Sequence, residues 1–277
     1  MTVDQANNLA SKTTGVLTGS ISNTALADYA ALTETGNAYT ITVADTSVDA
    51  AALRALDAKT TVAITATAMT SISGSFADVN AVLSSSGVSR STTADSIAVT
   101  LSGLATVSDV NTLNGITAVN AITATLSTGD MATLAGLNAS SGTAHAYSIS
   151  LTDASVAVDA LNTLDTKTSV AINATGVTEV TATSAQIGAL STAYASSGIS
   201  GLGNEAITIT GGGISAADAN TAFGLTSGVV TATVTTAAVS VTALNSALSN
   251  ASATDQLTIV VDAVDATLTQ AKLQALL

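Results

Sequence analysis

"DTSVDAAALRALDAKTTVAITAT", Asp45 to Thr67, returns further along the chain as "DASVAVDALNTLDTKTSVAINAT", Asp153 to Thr175. Fourteen of the twenty-three positions are identical without a gap, more than a narrow composition gives over so long a run. The chain is internally repeated, and the period of that repeat decides the fold.

Working outward from the two passages, short runs of alternating apolar and polar residues recur: "VLTGSI" (16–21), "TITV" (40–43), "VAITAT" (62–67), "SIAVTL" (96–101), "AITATL" (121–126), "AYSISL" (146–151), "VAINAT" (170–175), "AITIT" (206–210), "VTATV" (230–234) and "LTIVV" (257–261). Period two marks a strand with one buried face. From the second run onward the strand centres are Ile41, Ile64, Val99, Ala124, Ile149, Ile172, Ile209, Ala232 and Ile259. The gaps from Ile64 to Val99 and from Ile172 to Ile209 are clearly longer than the rest, so the order short, long, short, short occurs twice. That order predicts four-unit passes over 41–148 and 149–258, partial units at 1–40 and 259–277, and one repeat array over 1–277. The longer units carry "SSSGVSRSTTAD" (84–95) and "ASSGISGLGNEA" (195–206), whose Gly and Ser predict protruding loops.

Between the strands, Val48, Ala52, Leu53 and Leu56, and again Val156, Ala160, Leu161 and Leu164, fall at helical spacing. Asp45 and Asp153 stand where N-caps belong, and Lys59 and Lys167 where a helix dipole favours a cation. Helices of two or three turns do not persist alone in water, so packing on the strands must hold them. Strand and short helix repeated at about 25 residues is a βα unit with parallel strands, and right-handed crossovers put every helix on one side of a continuing sheet. The expected fold is α/β, an open right-handed solenoid of about ten strand and short-helix repeats. The alternative is an all-β solenoid in which the helical stretches are further strands and turns. A closed eight-fold barrel does not suit a four-unit period, and a doubly wound sheet needs a reversal of strand order that a regular repeat gives no reason to expect.

Composition agrees with thin layers. Aromatics are 2% of 277 residues and Trp is absent, so burial rests on Ala, Val, Ile and Leu. Hydrophobic residues at 47% against 9% charged argue against disorder. Six basic and nineteen acidic residues give a net charge of −13, which repels phosphate backbones, so nucleic acid is not an expected partner. There is no cysteine, hence no disulfide or thiolate chemistry. No run of eighteen apolar residues offers a membrane span. Residues 1–15 lack the basic start and apolar stretch of a signal peptide and read like the middle of a repeat, the expectation being a segment of something longer or a subunit that continues into another copy.

The phrases "ADVNAVLSSSGV" (77–88), "LNTLDTKTS" (161–169) and "STAYASSGISGLGNEAITIT" (191–210) resemble degenerate repeats in very large secreted or cell-surface proteins of aquatic bacteria, marine cyanobacteria especially. The resemblance implies an extracellular structural or adhesive array and brings no catalytic residues with it.

Groups that carry chemistry are sparse. His145 in "GTAHAYSIS" is the one histidine, too few for a zinc site or a hydrolase triad, and is expected at a surface or in a turn. "GLGNEA" (201–206) has dinucleotide-like glycines but precedes a strand where that motif must follow one, so it reads as a turn. The sixteen aspartates are spread about one per unit. Asp262 and Asp265 are their closest pair and "TGGGISAAD" (210–218) only a faint echo of a calcium repeat, so calcium is a minor expectation and no other cofactor is expected. The outward strand positions are rich in hydroxyls. Thr40, Thr42, Thr65, Thr67, Thr123, Thr125, Thr208, Thr210, Thr231 and Thr233 would form ladders on stacked strands, resembling the T-x-T faces of some ice-binding solenoids, although Thr also simply suits the solvent side of a strand. These features predict a non-catalytic extracellular spacer, sheath or filament module that associates head-to-tail with itself or flanking repeats. The alternative is a surface-binding adhesin that holds polysaccharide or ice on the Thr-rich face.

Overall fold

A computed structural model describes residues 1–140, 143–235 and 240–260. The chain divides into two compact units, residues 1–127 with 137–148, and residues 128–136 with 149–277. Each is a stack of short parallel strands interleaved with short helices.

In the first unit the elements are α1 (Val3–Ala10), β1 (Thr18–Ser20), a 3-10 helix (Leu26–Ala31), β2 (Ala38–Thr40), β3 (Ser47–Asp49), α2 (Ala50–Asp57), β4 (Ile64–Thr65), β5 (Ser71–Gly74), α3 (Phe76–Ser84), β6 (Val88–Ser89), β7 (Ile97–Ala105), α4 (Val107–Asn114), β8 (Val119–Leu126) and β9 (Ala146–Ser148). They form a five-stranded sheet in the order β3-β5-β7-β8-β9 and two-stranded sheets β1-β2 and β4-β6. Val48 lies against Ile72, Ile72 against Val99, Val99 against Ile122, and Ala124 against Tyr147. Each partner lies one repeat further along the chain.

The second unit repeats the plan with α5 (Met131–Leu134), β10 (Ser155–Ala157), α6 (Val158–Asp165), β11 (Ile172–Asn173), β12 (Glu179–Thr183), α7 (Ile187–Ala195), β13 (Ile199–Ser200), β14 (Ala206–Thr210), α8 (Ala216–Phe223), β15 (Val230–Thr235), α9 (Val241–Ala247) and β16 (Gln256–Val260). Its sheets are β10-β12-β14-β15-β16 and β11-β13. Val156, Val180, Ile207 and Val230 form the column that matches Val48, Ile72, Val99 and Ile122, and all eight side chains are buried. Burying such a side chain contributes about 1.5–3 kcal/mol, and registered columns repeat that gain at every strand.

The fold is thus α/β with parallel strands, and helices occupy the stretches that the all-β alternative made into strands. The single continuing sheet is corrected to five separate, unclosed sheets among the described residues. The chain bends within some steps, as at Ala66–Thr70 between β4 and β5, so that such a step supplies short strands to two sheets. The long gaps from Ile64 to Val99 and from Ile172 to Ile209 vanish for the same reason. Ile64 pairs with Val88 rather than Val99, and Ile172 with Ile199 rather than Ile209. The expected loops at 84–95 and 195–206 therefore contain β6 and β13.

The helices form where predicted but are capped differently. In α2 the buried residues are Ala50, Leu53 and Leu56, while Val48 belongs to β3 and the N-cap is Asp49, whose carboxylate accepts the Ala52 N–H at 2.8 Å. Asp45 instead accepts the N–H of Leu26, at the start of the 3-10 helix, at 2.7 Å, and Asp153 accepts that of Met131 in α5 at 2.7 Å. Each carboxylate caps the preceding helix in the stack, where it satisfies an otherwise orphaned donor. Lys59 lies beyond the end of α2 and its Nζ donates to the Thr33 carbonyl at 2.8 Å.

Candidate functional site

Polar side chains at the strand entrances, buried at Asn37 and His145 and half-buried at Asp255, keep the stack in register. Asn37, just before β2, accepts the Leu17 N–H on Oδ1 at 2.8 Å. His145, just before β9, accepts the Ile122 N–H on Nδ1 at 3.1 Å, and Asp255, just before β16, accepts the Val230 N–H at 2.8 Å. Thr60 serves both backbone polar groups of Tyr39, accepting its N–H at 3.0 Å and donating to its C=O at 2.8 Å. These groups take the place of strand partners where the ladders end, because a buried backbone group left unpaired costs about 1–3 kcal/mol.

His145 is therefore a correction to the surface or turn role: it is fully buried. The Ile122 N–H points at Nδ1, so the proton resides on Nε2, which lies 3.0 Å from Asn114 Oδ1. Burial pushes the imidazole below the ordinary histidine range.

The threonine positions separate. Thr40 on β2 lies beside Ser20. Thr42 bridges to Thr65, whose other neighbour is Ser89, and Thr67 falls in the turn after β4. Thr123 and Thr125 belong to the five-stranded sheet, with Thr100 beside Thr123 and Ser148 beside Thr125. The second unit gathers a denser patch. Thr181, Thr208 and Thr231 stand side by side on β12, β14 and β15, with Thr183 beside Thr210 and Thr233 beside Thr258. Thr181 and Thr183 were missed although "EVTAT" alternates as cleanly as its neighbours, because a helix connection was expected there. At one end of the patch Glu179 accepts hydroxyl hydrogens from Ser155 and Thr208, both at 2.7 Å, and these bonds hold its carboxyl below the usual glutamate range.

The glycine motifs also resolve. In "GLGNEA" the Gly203 and Asn204 N–H groups donate to the carboxylate of buried Glu205, at 2.8 and 3.1 Å, and Tyr194 Oη donates to the same carboxylate. The chain's own glutamate fills that anion slot. In "TGGGISAAD", Gly211 and Gly212 have φ of 79° and 133° and lead to a bridge between Ile214 and Val234, a bulge in the sheet that only glycine enters without strain. Asp262 and Asp265 lie outside the described residues, and among the described residues no three His, Asp or Glu side chains converge as metal ligands.

Two grooves lie between helices. One of about 460 Å³ lies between the 3-10 helix and α2, lined by Leu26, Tyr29, Ala30, Ala52, Ala55 and Lys59. Its counterpart of about 130 Å³ lies between α5 and α6, lined by Leu134, Ala135, Ala160, Thr163 and Lys167. Both are lined mainly by Ala and Leu, with a lysine in each wall. No described helix is long and apolar enough to cross a membrane. Comparison with known protein families, curated proteins and solved structures finds no match for this chain.

Proposed function

We propose that the chain is a non-catalytic structural repeat module displayed outside the cell as a spacer, sheath or filament subunit. In this reading it is an open right-handed solenoid of about ten strand and short-helix steps, helices on one side, that associates head-to-tail with itself or with flanking repeats. The observation that supports it best is the stepwise pairing. Within each unit a strand of the main sheet meets its partner one repeat further along the chain, and the same entrance rung recurs at Asn37, His145 and Asp255. Such an array adds stability by nearest-neighbour contacts and gains length without a new fold, and strand edges invite further strands. The resemblance to repeats of large surface proteins of aquatic bacteria supports the extracellular setting. Sedimentation equilibrium across a concentration series, with electron microscopy of the same samples, tests it. Rods or fibres that lengthen with concentration are expected, and a compact particle that stays monomeric at high concentration overturns the reading.

The second reading is an adhesin. It is favoured by one feature, the patch of Thr181, Thr208 and Thr231 on adjacent strands, whose hydroxyls could hold polysaccharide or ice. Glycan-array binding and ice-shaping assays separate it from scaffolding, and lack of both activities rejects it.

A further inference from the structure

We infer that His145 is an acid-sensitive latch on the β8-β9 pair: neutral, it accepts the Ile122 N–H, and protonation turns that acceptor into a donor and opens the pair. This goes beyond the structural role proposed above and does not depend on it.

The three strand-entrance rungs give the comparison. Asn37 and Asp255 receive the backbone N–H opposite them on an oxygen, as His145 does on Nδ1. An asparagine amide does not titrate, and a protonated aspartate still keeps an acceptor oxygen. Histidine alone loses its acceptor, because both ring nitrogens of the imidazolium are donors. Protonation at Nδ1 therefore sets two donors face to face at a site with no exposure to water, where an unmet donor is costly.

From α4 the facing group is the neutral Asn114 amide. The one carboxylate of that helix, Asp109, is held at its opposite end by the Thr106 N–H at 2.9 Å. β8 has no titratable side chain. On β9 the titratable group is Tyr147, its ring centroid 5.1 Å from that of His145, and burial pushes its phenol upward, so it stays neutral.

The direction of the pH effect follows. Folded His145 is held neutral, so the open state binds the extra proton. The closed pair is fully stable above the ordinary histidine pKa of about 6.5 and weakens as pH falls below it, by up to about tenfold in the closing equilibrium per pH unit.

Two measurements on the full chain test this. The single histidine makes its imidazole NMR signals unambiguous in a titration from pH 7.5 to 5. Amide exchange over the same range, corrected for intrinsic rates, reports Ile122 and Ala124 against Val230 and Ala232, their counterparts at the Asp255 rung. The expected result is loss of protection at Ile122 and Ala124 below about pH 6.5, steady protection at Val230 and Ala232, and no such pH dependence in His145→Asn, which copies the Asn37 rung. An equal loss in His145→Asn, or steady protection in the wild type, overturns the inference. Should the variant not fold, the wild type decides: ring protonation together with loss of Ile122 protection supports the latch, and ring protonation with Ile122 still protected sinks it.

Discussion

The Asp153 carboxylate accepts the backbone N–H of Met131 at 2.7 Å, from a position 22 residues further along the chain. The cap belongs to one step of the stack and the helix to the step before. Asp153→Ala should cost about 0.5–2 kcal/mol, as loss of a cap does, and Asp153→Asn, which keeps an acceptor oxygen, should cost less. Asp45, which holds Leu26 in the same way, should give the same order. Urea unfolding of the four variants checks this, and equal stability of Asp153→Ala and wild type would show that water replaces the cap.

Three glycines differ in what a methyl would meet. A Cβ at Gly129 would overlap the Ser150 carbonyl and come within 2.9 Å of the Thr152 nitrogen, both backbone. Nothing there can swing aside, and the Gly129 carbonyl also accepts the Thr152 N–H at 3.1 Å. Gly129→Ala should cost about 3 kcal/mol, the upper end of the usual overpacking penalty. At Gly198 and Gly87 the obstructing groups are the Asp165 and Asp57 carboxylates. These can rotate at the expense of their bonds from Ser196 and Ser85, at 2.8 and 3.0 Å, so alanine at either site should cost about 1 kcal/mol. Thermal melts should rank Gly129→Ala well below the other two.

Tyr194 and Glu205 form a polar pair where the first unit has Leu83 and Ile97, by strand register and position in equal-length helices. Tyr194→Phe leaves the buried carboxylate with only its two backbone donors, which should destabilise the chain by about 1–3 kcal/mol. Adding Glu205→Gln, which removes the buried charge, should recover part of that loss. A double-mutant cycle measured by denaturant unfolding reads the coupling directly, and strictly additive effects would deny that the two residues act as a pair.

Acid should act through Glu179. Its carboxyl is held below the usual range by the Ser155 and Thr208 hydroxyls. Its stabilisation is therefore present above the unfolded glutamate value of about 4.3 and is lost as pH falls through the folded value beneath it. Between pH 6 and pH 3 the urea midpoint of the wild type should fall further than that of Glu179→Gln, and identical slopes would reject the assignment.

Much of the fold was legible in the chain's letters. Parallel pairing and short helices follow from period-two runs separated by stretches of helical spacing, and all ten of those runs contain a strand or bridge residue among the described residues. The echo of Asp45–Thr67 in Asp153–Thr175 stands because a one-residue slip of a strand would turn its whole apolar set outward, so Val48 and Val156, Leu53 and Leu161, Ile64 and Ile172 all had to keep their places. Pairing between distant segments was not legible. Nothing local tells that Ile64 meets Val88 rather than Val99, because Val88 stands in a Ser- and Gly-rich stretch that reads as a loop, and only the bend at Ala66–Thr70 sends β4 and β5 to different sheets. The same holds for Asp45, which reads as the cap of the helix that follows it and serves instead the one 19 residues behind. His145 looked exposed because an isolated histidine in a polar segment gives no sign of its partners, and Ile122 and Asn114, to which it hydrogen-bonds, are 23 and 31 residues away. Periodicity determines which face of each segment is buried, since that depends on a residue's own neighbours. Which strand meets which, and whose donor each carboxylate or imidazole satisfies, is decided only when the steps stack and every buried N–H must find an acceptor.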